Sequence, residues 1–193
     1  MRHLLYSLKL IVNAPFAWPC IILYFFSANK HIINKDLVAW AKVHVPKFNA
    51  ESINYSKHLY REFISYPEFR SLFYHRIGKI SIIIRWLYKP QSHLAMDCPN
   101  IGEGLFIQHG YCTDLSARSI GKNCWINQRV TLGYKGNDCP TIGDNVRIGV
   151  GAIIIGNVHI GDNVNIGAGA IVVKDVPNNC TICPPKAQIV KYH

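Results

Sequence analysis

Acidic side chains are scarce in the first half of this 193-residue chain. Residues 1–96 contain 4 Asp and Glu against 13 Lys and Arg, whereas residues 97–193 contain 7 against 8. The first half therefore carries almost all of the net charge of +10. This asymmetry favours an anionic partner for that half, such as an acidic membrane leaflet or an acidic polysaccharide. Nucleic acid is not expected as a partner, because no nucleic-acid-binding motif accompanies the basic residues.

Paired cysteines and clustered histidines are also missing. The 7 cysteines are odd in number and irregularly spaced, which argues against a full disulfide framework and favours a reducing compartment. Cys180 and Cys183 form one C-x-x-C, without the second pair that a structural zinc site needs. The second half offers only His109 and His159 before the terminal His193, so a zinc site of three converging histidines is excluded and no metal is expected.

Residues 10–29 contain no charged side chain, although cations lie on both sides of them. About 20 apolar residues suffice for a helix that crosses a bilayer. Pro15 and Pro19 would kink such a helix and leave backbone groups unpaired in lipid. We therefore expect residues 4–29 to lie on a membrane surface rather than to span it. A true span of residues 10–29, and an apolar helix packed on the domain or on another subunit, remain the alternatives.

Further helices are expected before the second half of the chain. Residues 36–45 have helical apolar spacing, with Asp36 placed as the N-cap. Residues 57–65 and the basic amphipathic segment 68–88 follow. The chain from 1 to 96 is thus predicted to be a basic, helical, membrane-associated region.

A period of six residues organises the second half. Ile142, Ile148, Ile154, Ile160, Ile166 and Val172 recur at that interval, and Val or Ala follows each one four places later, ending at Val176. Helices have a period near 3.6 and strands a period of 2, so a sustained period of six indicates a solenoid of short repeated turns. Residues 97–193 are predicted to form this solenoid.

The rhythm fails at two places. Ile107 and Ile120 are thirteen residues apart where two repeats need twelve, and Leu132 and Ile142 are ten apart where one repeat needs six. Extra residues in a solenoid leave as loops from one face, and loops on a rigid scaffold often carry function. The first slip directly follows His109, and the second produces the polar loop 133–141.

The repeat resembles that of the hexapeptide acyltransferases. The series "MDCP", "GLFIQHG", "TLG", "CPTIGDNVRIGVGA" and "IGAGAIV" is similar to the serine O-acetyltransferase branch, and with "FRSLFYHRIGK" the similarity covers about residues 66–188. The resemblance implies a mainly β fold with helices in front, namely a left-handed parallel β-helix with three strands per coil. It also implies a homotrimer with active sites at subunit clefts and acetyl-CoA as co-substrate.

Acetyl transfer to a hydroxyl needs a base, a group that orients the base, and donors for the oxyanion. His109 is the histidine at the interrupted coil, and it stands where the resembled branch has its catalytic histidine. Asp97 matches the partner carboxylate of that branch, and we expect it to fix the tautomer of His109. By the same resemblance, acetyl-CoA is expected at Gly133, Tyr134, Gly149, Val150, Gly151, Gly167 and Ala168, with Lys186 near its phosphates.

Three positions depart from the serine enzymes. Gln108 replaces an Asp before the catalytic His, and Asp138 with Cys139 replaces an Arg-His pair in the long loop. Because these losses remove charges suited to an amino acid, we expect a saccharide acceptor in surface-polysaccharide synthesis, at the inner face of the plasma membrane. Serine O-acetyl transfer and a non-catalytic membrane-proximal scaffold are the alternatives.

Overall fold

The computed structural model describes Val12 and residues 18–188. In this part of the chain, five α-helices and two short 3₁₀ turns precede fourteen short strands. The helices are α1 (Trp18–Phe25), α2 (Lys30–His44), α3 (Tyr55–Ser65), α4 (Pro67–Ile77) and α5 (Ile82–Arg85), and the 3₁₀ turns are Ala50–Ser52 and Gly78–Ser81. Among the described residues, no helix is long and apolar enough to cross a membrane. Half of the predicted membrane segment, residues 4–29, lies outside the described residues.

Two of the predicted helices differ from those observed. Asp36 lies inside α2, which begins at Lys30, so its prediction as an N-cap is wrong. Residues 68–88 do not form one helix, because α4 ends at Gly78, whose φ of 66° is left-handed and favours glycine. The predicted helix at 57–65 corresponds to α3, where the side chain of Asn54 caps the amide of Lys57.

The strands form three parallel sheets that make the faces of a triangular solenoid. Sheet A contains β1 (Leu94–Ala95), β4 (Thr113–Leu115), β7 (Thr131–Gly133), β10 (Ile153–Ile155) and β13 (Ile171–Val172). Sheet B contains β2 (Asn100–Ile101), β5 (Ser119–Ile120), β8 (Thr141–Ile142) and β11 (His159–Ile160). Sheet C contains β3 (Phe106–Gln108), β6 (Trp125–Asn127), β9 (Arg147–Ile148), β12 (Asn165–Ile166) and β14 (Thr181–Ile182). The chain visits the sheets in the order B, C, A, so the predicted helical region followed by a parallel β-helix of three strands per coil is confirmed.

The period of six is the length of one side of the triangle. Ile142 pairs with Ile160, and Ile148 pairs with Ile166, eighteen residues further along in each case. The repeated Ile and Leu side chains point inward and are almost fully buried. Burial of such side chains in every coil supplies the apolar free energy that holds the stack together.

The motif Ile-Gly-Asp-Asn-Val has a structural explanation at the corner between sheets B and C. Asn123, Asn145, Asn163 and Asn179 stack there with φ near +55 to +60°, and their side chains form a ladder of hydrogen bonds. Asn tolerates this left-handed conformation better than most residues. The preceding Gly of each repeat leaves room for the backbone of the next coil, since a Cβ on Gly143 would lie 2.8 Å from the carbonyl carbon of Gly161.

Strand pairing shows where the six-residue repeat is interrupted. Ile107 and Leu115 occupy successive inward positions eight residues apart, and Leu115 is only five residues before Ile120. The apparent slip of one residue is thus two extra residues after Gln108 and one fewer after Leu115. The last coil is shortened, because Val176 pairs with Ile160 instead of following Val172 as a corner residue.

The helices and the solenoid share one hydrophobic core. Trp40 of α2 packs edge-on against Phe69 and Phe106, and its Nε1 donates to the carbonyl of Leu105 at 2.9 Å. The buried Asp36 accepts from Arg76 of α4 and from the amides of Gly104 and Leu105. These contacts fix the start of the solenoid against α2 and α4, so the strand that leads into His109 is firmly held.

Candidate functional site

His109 lies at the corner between strand β3 of sheet C and strand β4 of sheet A. The two extra residues bulge outward here, and both His109 (φ 68°) and Gly110 (φ 51°) adopt left-handed conformations. The imidazole is exposed, and no hydrogen bond to it is recorded from residues 18–188. A non-glycine residue in this region is strained and often marks a functional position.

The same edge of the solenoid carries most of the residues expected to contact acetyl-CoA. We define the His109 edge as the corners 109–112, 128–130, 149–152 and 167–170, which lie between sheets C and A. Backbone hydrogen bonds connect them in sequence, from Gly151 N to the carbonyl of Gln128 and from Gly169 N to the carbonyl of Val150. Gly149, Val150, Gly151, Gly167 and Ala168 therefore lie along one line with His109. Lys186 is exposed in the segment that follows β14.

Asp97 lies at a different corner from His109. We define the loop edge as the corners 96–99, 116–118 and 134–140, which lie between sheets A and B. Ala95 pairs with Asp114, so Asp97 follows β1 at the far end of sheet A. His109 precedes β4 at the near end, and three residues of strand, about 10 Å, separate the two levels. The structure does not bring Asp97 and His109 together within one chain.

Glu68, which the sequence did not single out, lies beside the His109 corner. It is the second residue of α4, and its side chain is 7% exposed. Its Cγ would be only 2.9 Å from a Cβ placed on Gly110, and its Oε2 is buried with no hydrogen-bond partner. A buried carboxylate oxygen without a donor is costly, so it marks a place where a proton donor is expected. In the sequence, the only signal for this residue is its position directly after Tyr66-Pro67.

Loop 133–141 forms a tight turn on the loop edge. Lys135 and Asp138 exchange backbone hydrogen bonds, and the intervening Gly136 has a φ of 65°. Tyr134 is exposed, and the neighbouring Cys139 thiol raises its pKa, with smaller contributions in the same direction from Asp97 and Asp114. The loop thus places the phenol of Tyr134 beside the Cys139 thiol.

The residues expected to read the acceptor lie at two separate places on the solenoid. The side-chain oxygen of Gln108 accepts from Trp125 Nε1 at 3.2 Å, and the Trp125 ring is itself covered by the guanidinium of Arg147. Cys139 is buried, whereas Asp138 is exposed at the turn. Gln108 lies beside the His109 edge, and Asp138 and Cys139 lie on the loop edge. Within residues 18–188, no cluster of three or more His, Cys, Asp or Glu side chains could hold a metal ion.

Comparison with known proteins places the repeat in a described family. Residues 139–174 match the model of the bacterial transferase hexapeptide, which comprises six repeats. In sequence, the chain is 36% identical over 140 residues to the serine acetyltransferase of Synechococcus elongatus, covering 62% of this chain and 55% of that protein. It is 45% identical over 96 residues to that of Staphylococcus epidermidis, covering 47% and 45%. The chain spans about half the length of these relatives.

Solved structures agree with the sequence comparison. Neisseria gonorrhoeae serine acetyltransferase superposes with a TM-score of 0.61 and 30% identity, covering 84% of this chain and 66% of that one. Soybean serine acetyltransferase complexed with serine gives 0.62 and 28%, covering 84% and 70%. The predicted resemblance to the serine acetyltransferase branch of the hexapeptide acyltransferases, and the left-handed β-helix that it implies, are confirmed.

The comparisons also correct the expected acceptor. The relatives named above are serine acetyltransferases in sequence and in structure, so the prediction of a saccharide acceptor in polysaccharide synthesis is wrong. The structure gives a physical reason. The oxygen of Gln108 already accepts a hydrogen bond from Trp125, and Cys139 is buried, so Asp138 is the one exposed residue of the three.

Proposed function

We propose that this chain, which carries the bacterial transferase hexapeptide repeat and resembles the serine acetyltransferases, transfers acetyl from acetyl-CoA to the hydroxyl of L-serine. The observation that carries the proposal is the position of His109, exposed and left-handed on the same edge as the paired glycine corners 149–151 and 167–168. These corners leave backbone and little side chain at the surface, which suits an extended pantetheine arm. Acyl transfer needs a basic side chain beside that arm, and His109 lies there.

In the proposed reaction, His109 removes the proton from the serine hydroxyl as its oxygen attacks the thioester carbon. The C–O bond forms, the C–S bond breaks, and the imidazolium returns the proton to the CoA thiolate. General base catalysis of this kind contributes about a hundred- to ten-thousand-fold to the rate. His109 thus accepts the proton from the serine hydroxyl and later donates it to the CoA thiolate.

We propose Glu68 as the residue that positions His109 from inside the chain. Its Cγ lies beside Gly110, the residue next to His109, and its Oε2 is buried without a donor. A carboxylate in that place can hold an imidazole in one orientation and stabilise its charged form. Glu68→Gln should lower kcat with little change in KM for acetyl-CoA, and it should alter the pH dependence of kcat, which a purely structural role would not do.

We propose that a complete acceptor site needs two copies of the chain, as in a homotrimer. The His109 edge and the loop edge lie on opposite sides of sheet A, so one copy cannot bring them together. Asp97 on the loop edge and Asp114 in β4 of sheet A are anions suited to the serine ammonium group. The outer side of sheet A is apolar in its last coil, with Ile171 70% and Val173 64% exposed, which supports burial against neighbouring copies.

The test is release of CoA thiol from acetyl-CoA with L-serine as acceptor. We expect serine-dependent turnover, with a loss of at least about a hundredfold in His109→Ala. His159→Ala is the matched control, since His159 is an exposed histidine on β11 of the same solenoid. Absence of turnover with L-serine in the folded wild-type protein would refute the proposal. Equal rates in the two variants would remove His109 from the role of base.

A cytoplasmic position at the membrane is also proposed for this chain. The basic first half and the apolar residues 4–29 support it. Fractionation of cells followed by a carbonate wash tests this position. Full recovery in the soluble fraction before the wash would contradict it.

A further inference from the structure

A group of large apolar side chains is exposed where the chain leaves α4. We call it the Ile80–Leu87 patch, and it spans the 3₁₀ turn Gly78–Ser81, α5 and the residues that follow. Its members are Ile80, Ile82, Ile83, Trp86 and Leu87, which are 50, 74, 57, 75 and 37% exposed. Scattered apolar residues are common on protein surfaces, but five large exposed ones within eight residues of chain indicate a binding surface.

The indole N–H of Trp86 already has a hydrogen-bond acceptor within the chain. Its Nε1 donates to the carbonyl of Ile83 at 2.8 Å, although three quarters of the residue faces outward. An indole N–H that moves from water into lipid normally loses its hydrogen-bond acceptor. Here the chain supplies the acceptor locally, so the ring can leave water without losing a hydrogen bond.

The charges around the patch have one sign. Lys79, Arg85 and Lys89 are exposed beside it, and the sequence contains no Asp or Glu from residue 69 to residue 96. The guanidinium of Arg85 lies over the ring of Tyr74 at 5.4 Å, which holds it at the side of α5. An apolar centre with a basic rim matches the chemistry of an anionic lipid surface.

Helix α1 extends the same surface. Phe26 is 85% exposed, and a cavity of about 300 Å³ lies between α1 and the start of the patch, lined by Leu23, Phe26, Ile77 and Ile80 among others. The Nζ of Lys30 lies 4.6 Å from the centre of the Phe25 ring. Exposed apolar side chains and cations therefore extend from α5 to the C-terminal end of α1.

We infer that the Ile80–Leu87 patch docks on an anionic lipid bilayer, with Ile82, Ile83 and Trp86 entering the interface and Lys79, Arg85 and Lys89 contacting lipid phosphates. A second copy of this chain is the competing occupant. A two-fold contact through the patch would bring the same cations against one another, and like charges that approach without partners repel. The charge pattern therefore favours the lipid surface. The inference does not depend on the acceptor or on the reaction.

The test is flotation of the full-length chain with vesicles of phosphatidylcholine and phosphatidylglycerol, and with vesicles of phosphatidylcholine alone. We expect binding to the anionic vesicles that weakens with added salt. The double variant Ile82→Asn and Trp86→Ala should lower the apparent affinity by about tenfold or more. The matched control is Val43→Asn, which changes a side chain that is 42% exposed on α2.

A second measurement separates the patch from residues 4–29. Lipids brominated on their acyl chains should quench part of the tryptophan fluorescence of the bound wild-type protein, and Trp86→Phe should bind as well but show less quenching. Wild-type binding by the double variant would overturn the inference, since the N-terminal residues would then account for all of it. A patch-dependent change in oligomeric size without lipid binding would assign the surface to a second copy and would also overturn it.

Discussion

Arg76 donates from Nε to Oδ2 of Asp36 over 2.8 Å, and both side chains are almost fully buried although forty residues separate them in sequence. Burial raises the pKa of Asp36, while Arg76 and the amides of Gly104 and Leu105 act in the opposite direction. Arg76 also donates to the carbonyls of Ile101 and Gly102. The pair thus connects two helices to the first corner of the solenoid.

Asp36→Ala should be strongly destabilising. The change leaves the Arg76 guanidinium and two backbone amides buried without their acceptor, and loss of one partner of a buried pair costs about 3–5 kcal/mol. For a chain of this length that corresponds to a fall of roughly 10 °C in Tm. Lys122→Ala is the control, because Lys122 and Glu103 form a surface pair at 4.0 Å worth at most about 1 kcal/mol. Similar losses in the two variants would contradict the assigned role of Asp36.

The role of Asp36 shows where sequence reasoning stops. A short polar residue before a helical run predicts an N-cap, because that inference uses only neighbours in sequence. The actual partner, Arg76, is reached through tertiary packing. The six-residue period, in contrast, repeats the same local geometry in every coil, and the structure follows it from Ile142 to Val172. Local repetition was therefore predictable, and the contacts between unlike elements were not.

Gly143→Ala should destabilise the solenoid by about 1–3 kcal/mol. The added Cβ would meet the backbone of Gly161 at 2.8 Å, and a backbone held between two coils cannot move aside cheaply. Gly133→Ala is the matched control, since its Cβ would lie 3.5 Å from the nearest atom, an ordinary contact. Urea unfolding of both variants compares them directly. Equal urea midpoints in the two variants would show that the corner at Gly143 can accommodate the added methyl group.

Stability should decline when the pH falls below about 6.5, the ordinary pKa of histidine. Burial, and then the neighbouring Arg76 charge, lower the pKa of His75 in the folded chain. The unfolded chain therefore binds the proton first, so the contribution present above that pH is lost as the pH falls toward the folded pKa. We therefore expect a lower urea midpoint at the more acidic pH. Urea midpoints at about pH 7.5 and 5.5 measure it.

The histidine assignment has its own control. His75→Asn should flatten the pH dependence, whereas His159→Asn, at an exposed site, should leave the slope unchanged. A slope that survives in His75→Asn would assign the effect to another group. His58, whose pKa burial also lowers, would be the next to change.

The site was predictable in part for the same reason as the fold. The resemblance and the broken rhythm both point to His109, and the structure places it on the edge that carries the glycine corners. The pairing with Asp97 depended on which corner each residue occupies. Asp97 and His109 are twelve residues apart, and the irregularities of the repeat begin only after Gln108. In a coil with three sides of six residues, this spacing already places the two residues on different edges, so the period of six could have predicted the separation that the resemblance did not.

Gly110→Ala should impair catalysis more than stability. The φ of 51° is unfavourable for alanine, and the new Cβ would lie 2.9 Å from Cγ of Glu68, so the corner or the carboxylate must shift. Because His109 is the adjacent residue, we expect kcat to fall by about tenfold or more, since small displacements of a catalytic group are costly. Gly136→Ala carries a similar backbone penalty at φ 65° but meets no atom within 4 Å, so it separates strain from contact. The measurement is kcat and KM at saturating acetyl-CoA, with Tm of both variants. Equal effects on kcat would mean that the contact between Glu68 and Gly110 does not control the position of His109.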